Sequence, residues 1–466
     1  MRCISMEIFR YEDLVTLAYA LPEDVLCKKE YGDFEGAQKL IDVWLSRDVS
    51  ELLKRRLRLE KQILARLPVY FPYTQEQCLA KVQEVLPDIT AEEFVHLKDN
   101  GRIDWIYVNG EEHYFHRTAE TLMTDPALKK RSDVLLNRDQ AEPEDPVKDV
   151  VKEMADTGRP VSYRFSLKAE YRIKDEVFHP GRVRVWLPVP RASEQISGIQ
   201  ILTTNGILAD EHARQRTICF EEDMKENHVF SAEYAWTVTA RYADLWNRGE
   251  RSIVYAENSP APCAEDTSEL LPHIQFTPYM KALAKEIAGN IEDPLEKARA
   301  FYDYITARVK YSFMRPYATV EEIPEYAAVG YKGDCGVKAL MFITLCRLAG
   351  IPARWQSGLT TGHEAAGNHD WAQFWIDGYG WLFCDPSYGG HAYDEGEEWR
   401  RRFYFGNLDP FRMVANNSFQ AQFDNIQPRY LRADPYDNQV GEAEYEEEKI
   451  LDCAYTKTVT GSERIR

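Results

Sequence analysis

A chain of 466 residues corresponds to about three domains at the usual ~100–150 residues each, so a single compact unit is not expected. With 57 Lys plus Arg against 76 Asp plus Glu, the formal net charge is −19, which disfavours nucleic acid and anionic membrane as partners. Apolar residues make up 44% and aromatic residues 12%, enough to bury several cores and unlike a disordered or fibrous composition.

The first region, residues 1–140, reads as mostly helical. Leu52, Leu53, Leu57, Leu59, Ile63, Leu64 and Leu67 recur on one helix face, and Pro68 is expected to stop that helix. Thr74-x-x-Gln77 and Thr90-x-x-Glu93 have the form of capping boxes. Ile103–Val108 and Glu111–Phe115 flank Asn109-Gly110, the dipeptide suited to the positive φ angles of a type I′ hairpin turn. Nothing in this region points to chemistry.

The acidic, proline-bearing stretch from Ala141 to Pro146 reads as a linker. A β-rich region, 150–258, follows. Residues 161–173, 182–189, 217–221 and 229–242 alternate with period two and are rich in β-branched and aromatic types, which predicts an antiparallel β-sandwich. The region 265–440 opens with helices. Asp293-Pro294-Leu295-Glu296 supplies an N-cap, a first-turn proline and a returning carboxylate, ahead of Ala298, Phe301, Tyr302 and Ile305. Residues 441–466, with Glu442, Glu444 and Glu446–Glu448, read as a solvated acidic tail.

Residues 331–390 carry the chemistry. After the turn at Gly333-Asp334, Val337, Leu340, Met341, Thr344, Leu345 and Leu348 mark an apolar helix face, Gly350 ends the helix and Pro352 prevents its continuation. Cys335 therefore sits at a helix N-terminus, where unpaired N–H groups and the dipole favour a thiolate and are expected to lower its pKa. Asn368–Ile376 alternates as a strand, with Ala372, Phe374 and Ile376 on one face and His369, Trp371, Gln373 and Trp375 on the other. After the turn Asp377–Gly380, the strand Trp381–Cys384 delivers Asp385 beside that histidine. The expected contact is from Asp385 to Nδ1–H, leaving Nε2 free to take the thiol proton.

Each residue alone has an ordinary reading: a buried cysteine, a core histidine, a turn aspartate. Their order and placement together resemble the transglutaminase-like superfamily of cysteine enzymes. The resemblance rests on Gly333-Asp334-Cys335, Arg347-Leu348-Ala349-Gly350-Ile351-Pro352-Ala353-Arg354, His369-Asp370-Trp371 and Asp385-Pro386-Ser387, in that order. It covers about 290–390 directly. The strands at 161–242 are similar to the N-terminal β domain of many bacterial members.

The resemblance implies an α+β multidomain protein with a C-terminal transglutaminase-like (papain-like) core, a central antiparallel β-sandwich and a helical N-terminal region. It makes Cys335 the nucleophile, His369 the general base and then acid, and Asp385 the orienting carboxylate. The Cys335 backbone N–H would be one oxyanion donor and Tyr311 a second, with Tyr317 and Tyr331 as rivals. The expected chemistry is acyl transfer through a thioester, hydrolysing a peptide or amide bond of a peptide or protein substrate. Cross-linking, or a non-catalytic scaffold that keeps the fold, are the alternatives.

Nine cysteines without a Cys-x-x-Cys pair suit neither a disulfide framework nor zinc. Cys346 lies about 16 Å along the helix from Cys335 at 1.5 Å per residue, too far to share a metal. No cofactor is expected. The early charges at the N-terminus and the lack of a long apolar run lead to the expectation of a cytoplasmic protein. Two further histidines, His363 and His391, lie in glycine-rich sequence flanking the site and are candidates for substrate contact.

Overall fold

Helices dominate the first region because apolar residues recur there with helical period between capped ends. In a computed structural model, whose described residues are 11–138, 145–203, 205–246, 260–362, 366–450 and 453–465, they include Phe34–Leu45, Glu51–Tyr70, Gln75–Val85 and Ala91–Asp99. Thr74 and Gln77 form the full capping box. Thr90 accepts from the Glu93 N–H at 3.1 Å, while the Glu93 carboxylate is drawn instead to Arg131. Pro68 does not end its helix, which runs on to Tyr70. A proline in the last turn forfeits one hydrogen bond, and the helix already ends within two residues. Asn109 at φ 51° and Gly110 at φ 80° make the expected turn between strands Trp105–Val108 and Glu111–Tyr114.

Of the proposed linker, residues 141–144 lie outside the described residues. Asp145 and Pro146 belong to a helix, Pro146–Thr157, which Asp145 caps by accepting from Val147 N–H at 3.0 Å. Two antiparallel sheets follow from the alternating segments. One orders the strands Lys449–Ile450, Glu442–Tyr445, Gly181–Pro188, Thr217–Met224 and Ile207–Leu208; the other orders Cys453–Ile465, Val161–Ile173, Val229–Ala240 and Ile196–Thr203.

The C-terminal segment is therefore not a solvated tail. Glu442–Tyr445 pairs with Gly181–Pro188, and Cys453–Ile465 pairs along almost the whole of Val161–Ile173. Glu442 and Glu444 are buried because they accept backbone hydrogen bonds. Glu442 takes the N–H groups of Ala433 and Asp434 at 2.8 and 2.9 Å, and Glu444 takes that of Arg429 at 2.9 Å. Buried carboxylates that accept backbone N–H groups anchor the loop they hold.

The third sheet is the one that positions the site. Its order is Phe405–Gly406, Gly380–Cys384, Gly367–Ile376, Ala353–Thr360 and Arg412–Asn416, all antiparallel. The helix Cys335–Leu348 lies on one face of it, buried all round rather than along a single stripe. Phe342 meets Phe374 edge-on at 5.5 Å. The β-rich region covers the opposite face, where Trp371 donates to Gln356 and Gln195 donates to the same oxygen, each at 2.7 Å. No helix is long and apolar enough to cross a membrane among the described residues.

Candidate active site

The cysteine helix begins where Asp334 accepts from the Val337 N–H at 3.0 Å, a side-chain cap that places Cys335 at the first helical position. Cys335 is half-buried and opens into a cavity of about 830 Å³. Its wall includes Tyr311, Tyr317, Trp355 and Asp370 from the core. The roof is built from Ile63, Arg66 and Tyr70 of the helix Glu51–Tyr70, with the segment Tyr430–Val440, which is the loop anchored by the two buried glutamates. Close to the nucleophile, the largely buried ion pair of Lys332 with Asp104 at 2.9 Å ties the N-terminal region to the core.

Strand alternation decides what meets the sulfur. Asp370, Ala372 and Phe374 face the cysteine helix, and His369 and Trp371 face the β-rich region. The Cys335 thiol donates to Asp370 Oδ2 at 3.3 Å, and no hydrogen bond joins it to His369. Gln439 fixes the carboxylate from the roof, donating to Asp370 Oδ1 at 2.6 Å and to the His369 carbonyl at 3.0 Å. Asp437 hydrogen-bonds the same carboxylate and Ser357.

These surroundings reverse the expectation of a depressed thiol pKa. Burial pushes the Cys335 thiol well above its ordinary value, and the carboxylates of Asp370 and Asp334 push it further. The helix terminus cannot offset two acids at this range. Burial and Asp334 push Asp370 up to about 7; burial and Asp434 push Asp437 well above its ordinary value; burial brings Asp334 to about 6. The hydrogen bond between Asp437 and Asp370 lowers Asp370 and raises Asp437, which makes Asp437 the donor, and Asp370 accepts from Asp437, Gln439 and Cys335.

The His369–Asp385 contact forms as expected, with a different ring nitrogen. Nε2 donates to Asp385 Oδ2 at 2.7 Å, so Nδ1 is the nitrogen left free. Asp385 also accepts from the backbone N–H groups of Ser387 and Tyr388 and pairs with Arg412 at 3.1 Å, and Arg412 in turn pairs with Asp409 at 2.6 Å. Burial would raise the Asp385 carboxyl, but the charges of His369 and Arg412 overcome it and hold it at about 2. The imidazole packs against Tyr388, ring centroids 4.6 Å apart.

Of the three tyrosines, Tyr311 and Tyr317 line the cavity. Tyr311 is held by backbone pairing with Gly333, two residues before the nucleophile. Tyr317 commits its hydroxyl to Asp334 at 2.6 Å, and Tyr331 is 43% exposed away from the cavity. His391 sits on the exposed side of a helix, Pro386–Asp394, where it meets Glu395, and does not line the cavity; His363 lies outside the described residues. Asp370, Asp437, Gln439, Arg412 and Trp355 were not singled out from sequence. Asp370 was within reach, since extending the alternation of Ala372 and Phe374 by two residues puts it on the helix side. Nothing local marks Asp437 or Gln439.

Residues 281–386 match the family model of the transglutaminase-like superfamily, so this part of the chain is a transglutaminase-like core. No curated protein matches the chain. Among solved structures, the chain is similar to a candidate cysteine protease from Cytophaga hutchinsonii, at 16% identity over 66% of this chain and 92% of that one, with a TM-score of 0.40. It is also similar to the periplasmic domain of TgpA from Pseudomonas aeruginosa, at 16% identity over 57% of this chain and 99% of that one, with a TM-score of 0.30.

Proposed function

We propose that this protein is a cysteine-dependent acyl-transfer enzyme that hydrolyses a peptide or amide bond through a thioester on Cys335. The observation that carries this reading is a cysteine at the first position of a buried, side-chain-capped helix, opening into a cavity of about 830 Å³. The Cys335 backbone N–H and the Tyr311 hydroxyl are the proposed oxyanion donors. Two groups on one strand compete for the thiol proton. The family resemblance gives the task to His369 with Asp385 as its orienter, and the contact at 3.3 Å favours Asp370.

Hydrolysis is favoured over cross-linking by the roof. The helix Glu51–Tyr70 and the segment Tyr430–Val440 form part of the lining of a half-open cavity, which suits a small or extended substrate with water as the acceptor, whereas cross-linking needs a second protein's amine to reach the thioester. The test uses p-nitrophenyl acetate with the full-length protein. A burst of one nitrophenolate per chain, an acetyl group found on Cys335 by mass spectrometry, and loss of both in Cys335→Ala are the expected results. Wild-type protein without a burst would support the scaffold reading instead.

A further inference from the structure

We propose that Lys457 sets the substrate class of the cavity: its ammonium group receives a carboxylate of the substrate within about two residues of the bond broken at Cys335. The substrates are then acidic peptides, or peptides cut close to their own C-terminus. This rests on the reading of Cys335 as the nucleophile and deepens it by naming what is bound beside it.

The last strand, Cys453–Ile465, alternates covered and exposed positions. Cys453, Tyr455 and Val459 pack against the core, and Lys457 occupies the same inward row. A lysine in an apolar row needs a reason, because an ammonium drawn out of water is costly unless a countercharge meets it. The backbone holds it in place from both sides. Lys457 stands opposite Ala169 of Val161–Ile173, and its carbonyl accepts from the Ala366 N–H at 3.2 Å, one residue before the strand Gly367–Ile376.

The half-buried Lys457 donates to Asn368 Oδ1, and both residues line the cavity. Asn368 is two residues from Asp370 on the same strand face, so it stands about 7 Å along from the carboxylate that meets the sulfur. An extended substrate advances about 3.3 Å per residue, which puts Lys457 beside its first or second residue from the scissile carbonyl. No carboxylate lies within ion-pair distance of Lys457 among the described residues. Its bonded partner is a neutral amide, and the Tyr455 ring lies 5.6 Å away. Burial lowers Lys457 to about 8, the direction of an ammonium whose burial no charge answers, and leaves it charged at neutral pH.

Further cations extend this wall. Arg66, on the helix Glu51–Tyr70, lines the cavity with no carboxylate bonded to it among the described residues. Lys449 lines it too and donates to the Leu431 carbonyl; burial lowers it to about 8 despite Glu442, and Arg66 adds to that. In a chain of net charge −19, such a wall is a property of the cavity and not of the surface at large. The acids across the cavity do not cancel it. Burial raises Asp334, Asp370 and Asp437 toward the protonated form, which weakens their repulsion of an incoming carboxylate.

The experiment measures how well small peptides protect Cys335 from iodoacetamide at neutral pH, read by peptide mass spectrometry on the full-length protein. The probes are N-acetyl-Ala-Glu-amide, with a side-chain carboxylate, and N-acetyl-Ala-Ala, with a terminal one. Their neutral counterparts are N-acetyl-Ala-Gln-amide and N-acetyl-Ala-Ala-amide. In the wild type at least one acidic peptide halves the alkylation rate at a concentration about ten-fold below its counterpart, the size expected of one hydrogen bond to a charged group. Which acidic peptide protects tells a side-chain carboxylate from a chain end. Lys457→Gln, whose amide can still donate to Asn368, loses the preference, and Lys457→Arg keeps most of it. Added sodium chloride narrows the wild-type preference, since a half-open cavity admits counterions, and this readout needs no variant. Equal protection by acidic and neutral peptides, no protection by any of them, a preference unmoved by salt, or one that survives in Lys457→Gln overturns the proposal and leaves Lys457 as a strap between two strands. Alkylation needs no turnover, so this test can fail while the p-nitrophenyl acetate burst stands, and it remains readable where the burst is missing.

Discussion

One strand, Gly367–Ile376, has two electrostatic faces that solve opposite problems. On the face toward the β-rich region, Asp385 is fully buried and stays ionised, because His369, Arg412 and two backbone N–H groups surround it. On the face toward the cavity, Asp334, Asp370, Asp434 and Asp437 are grouped without a hydrogen-bonded cation among the described residues, and burial drives Asp334, Asp370 and Asp437 toward the protonated form. The first arrangement is a satisfied ionic network that fixes geometry; the second holds protons available near neutral pH. Neighbouring positions 369 and 370 fall on different sides of that division only because strand side chains alternate.

The comparison is broken most severely by removing the cation from the paired face. Arg412 is completely buried and bridges Asp385 and Asp409, so Arg412→Met leaves two buried carboxylates short of their countercharge. Breaking a buried pair from one side costs about 3–5 kcal/mol, measurable as a fall in urea midpoint. Asp437→Asn, on the cavity face, should cost less than about 1 kcal/mol, since the amide can still donate to Asp370 and the proton held by Asp437 already makes it neutral. Equal losses for the two variants would show that the faces do not differ in the way described.

A smaller effect is expected at Gly336, which sharpens the comparison because it touches only the cavity face. Gly336→Ala must displace Asp370, Trp355 or Tyr317, at an overpacking cost of about 1–3 kcal/mol. It should also change the rate of Cys335 alkylation, because the carboxylate that accepts from the thiol must move, while leaving the His369–Asp385 contact in place. Alkylation rates and denaturation midpoints on the same preparation check both halves.

How much of this was legible in the sequence follows the same division between local and distant causes. The cysteine helix, the histidine strand and its partner, and the two strand faces came from spacing alone. The meeting of His369 with Asp385 followed from a short hairpin. The roof did not, because Asp437 and Gln439 reach Asp370 from a loop nearly 70 residues downstream, Gln439 being 69 residues from its partner. The C-terminal strands were hidden for a similar reason. Their acidic composition suggested solvent, yet Glu442 and Glu444 are used to bind backbone N–H groups of the loop before them, a role that composition does not encode. The thiol's raised pKa was missed because the helix terminus is a local feature and the acids that outweigh it arrive from elsewhere.

The last predicted effect concerns pH and stability, and its sign follows from Asp370 itself. The folded carboxyl, pushed up to about 7 from an ordinary 3.8, binds its proton more tightly than the unfolded chain does. Between these values the native state holds more protons than the unfolded state, so the contribution to stability falls as pH rises and is fully lost above the upper value. Asp385 has the opposite sign: its carboxyl, held at about 2, adds stability that is present above 3.8 and disappears only as pH falls toward 2. Raising the pH from about 5 to about 8 should therefore destabilise the wild type relative to Asp370→Asn by about 2–3 kcal/mol, read from urea midpoints of both proteins at the two pH values. A constant difference between wild type and variant across that range would mean that Asp370 ionises as an ordinary surface carboxylate, and the cavity face would then lack the proton reserve that separates it from the paired face.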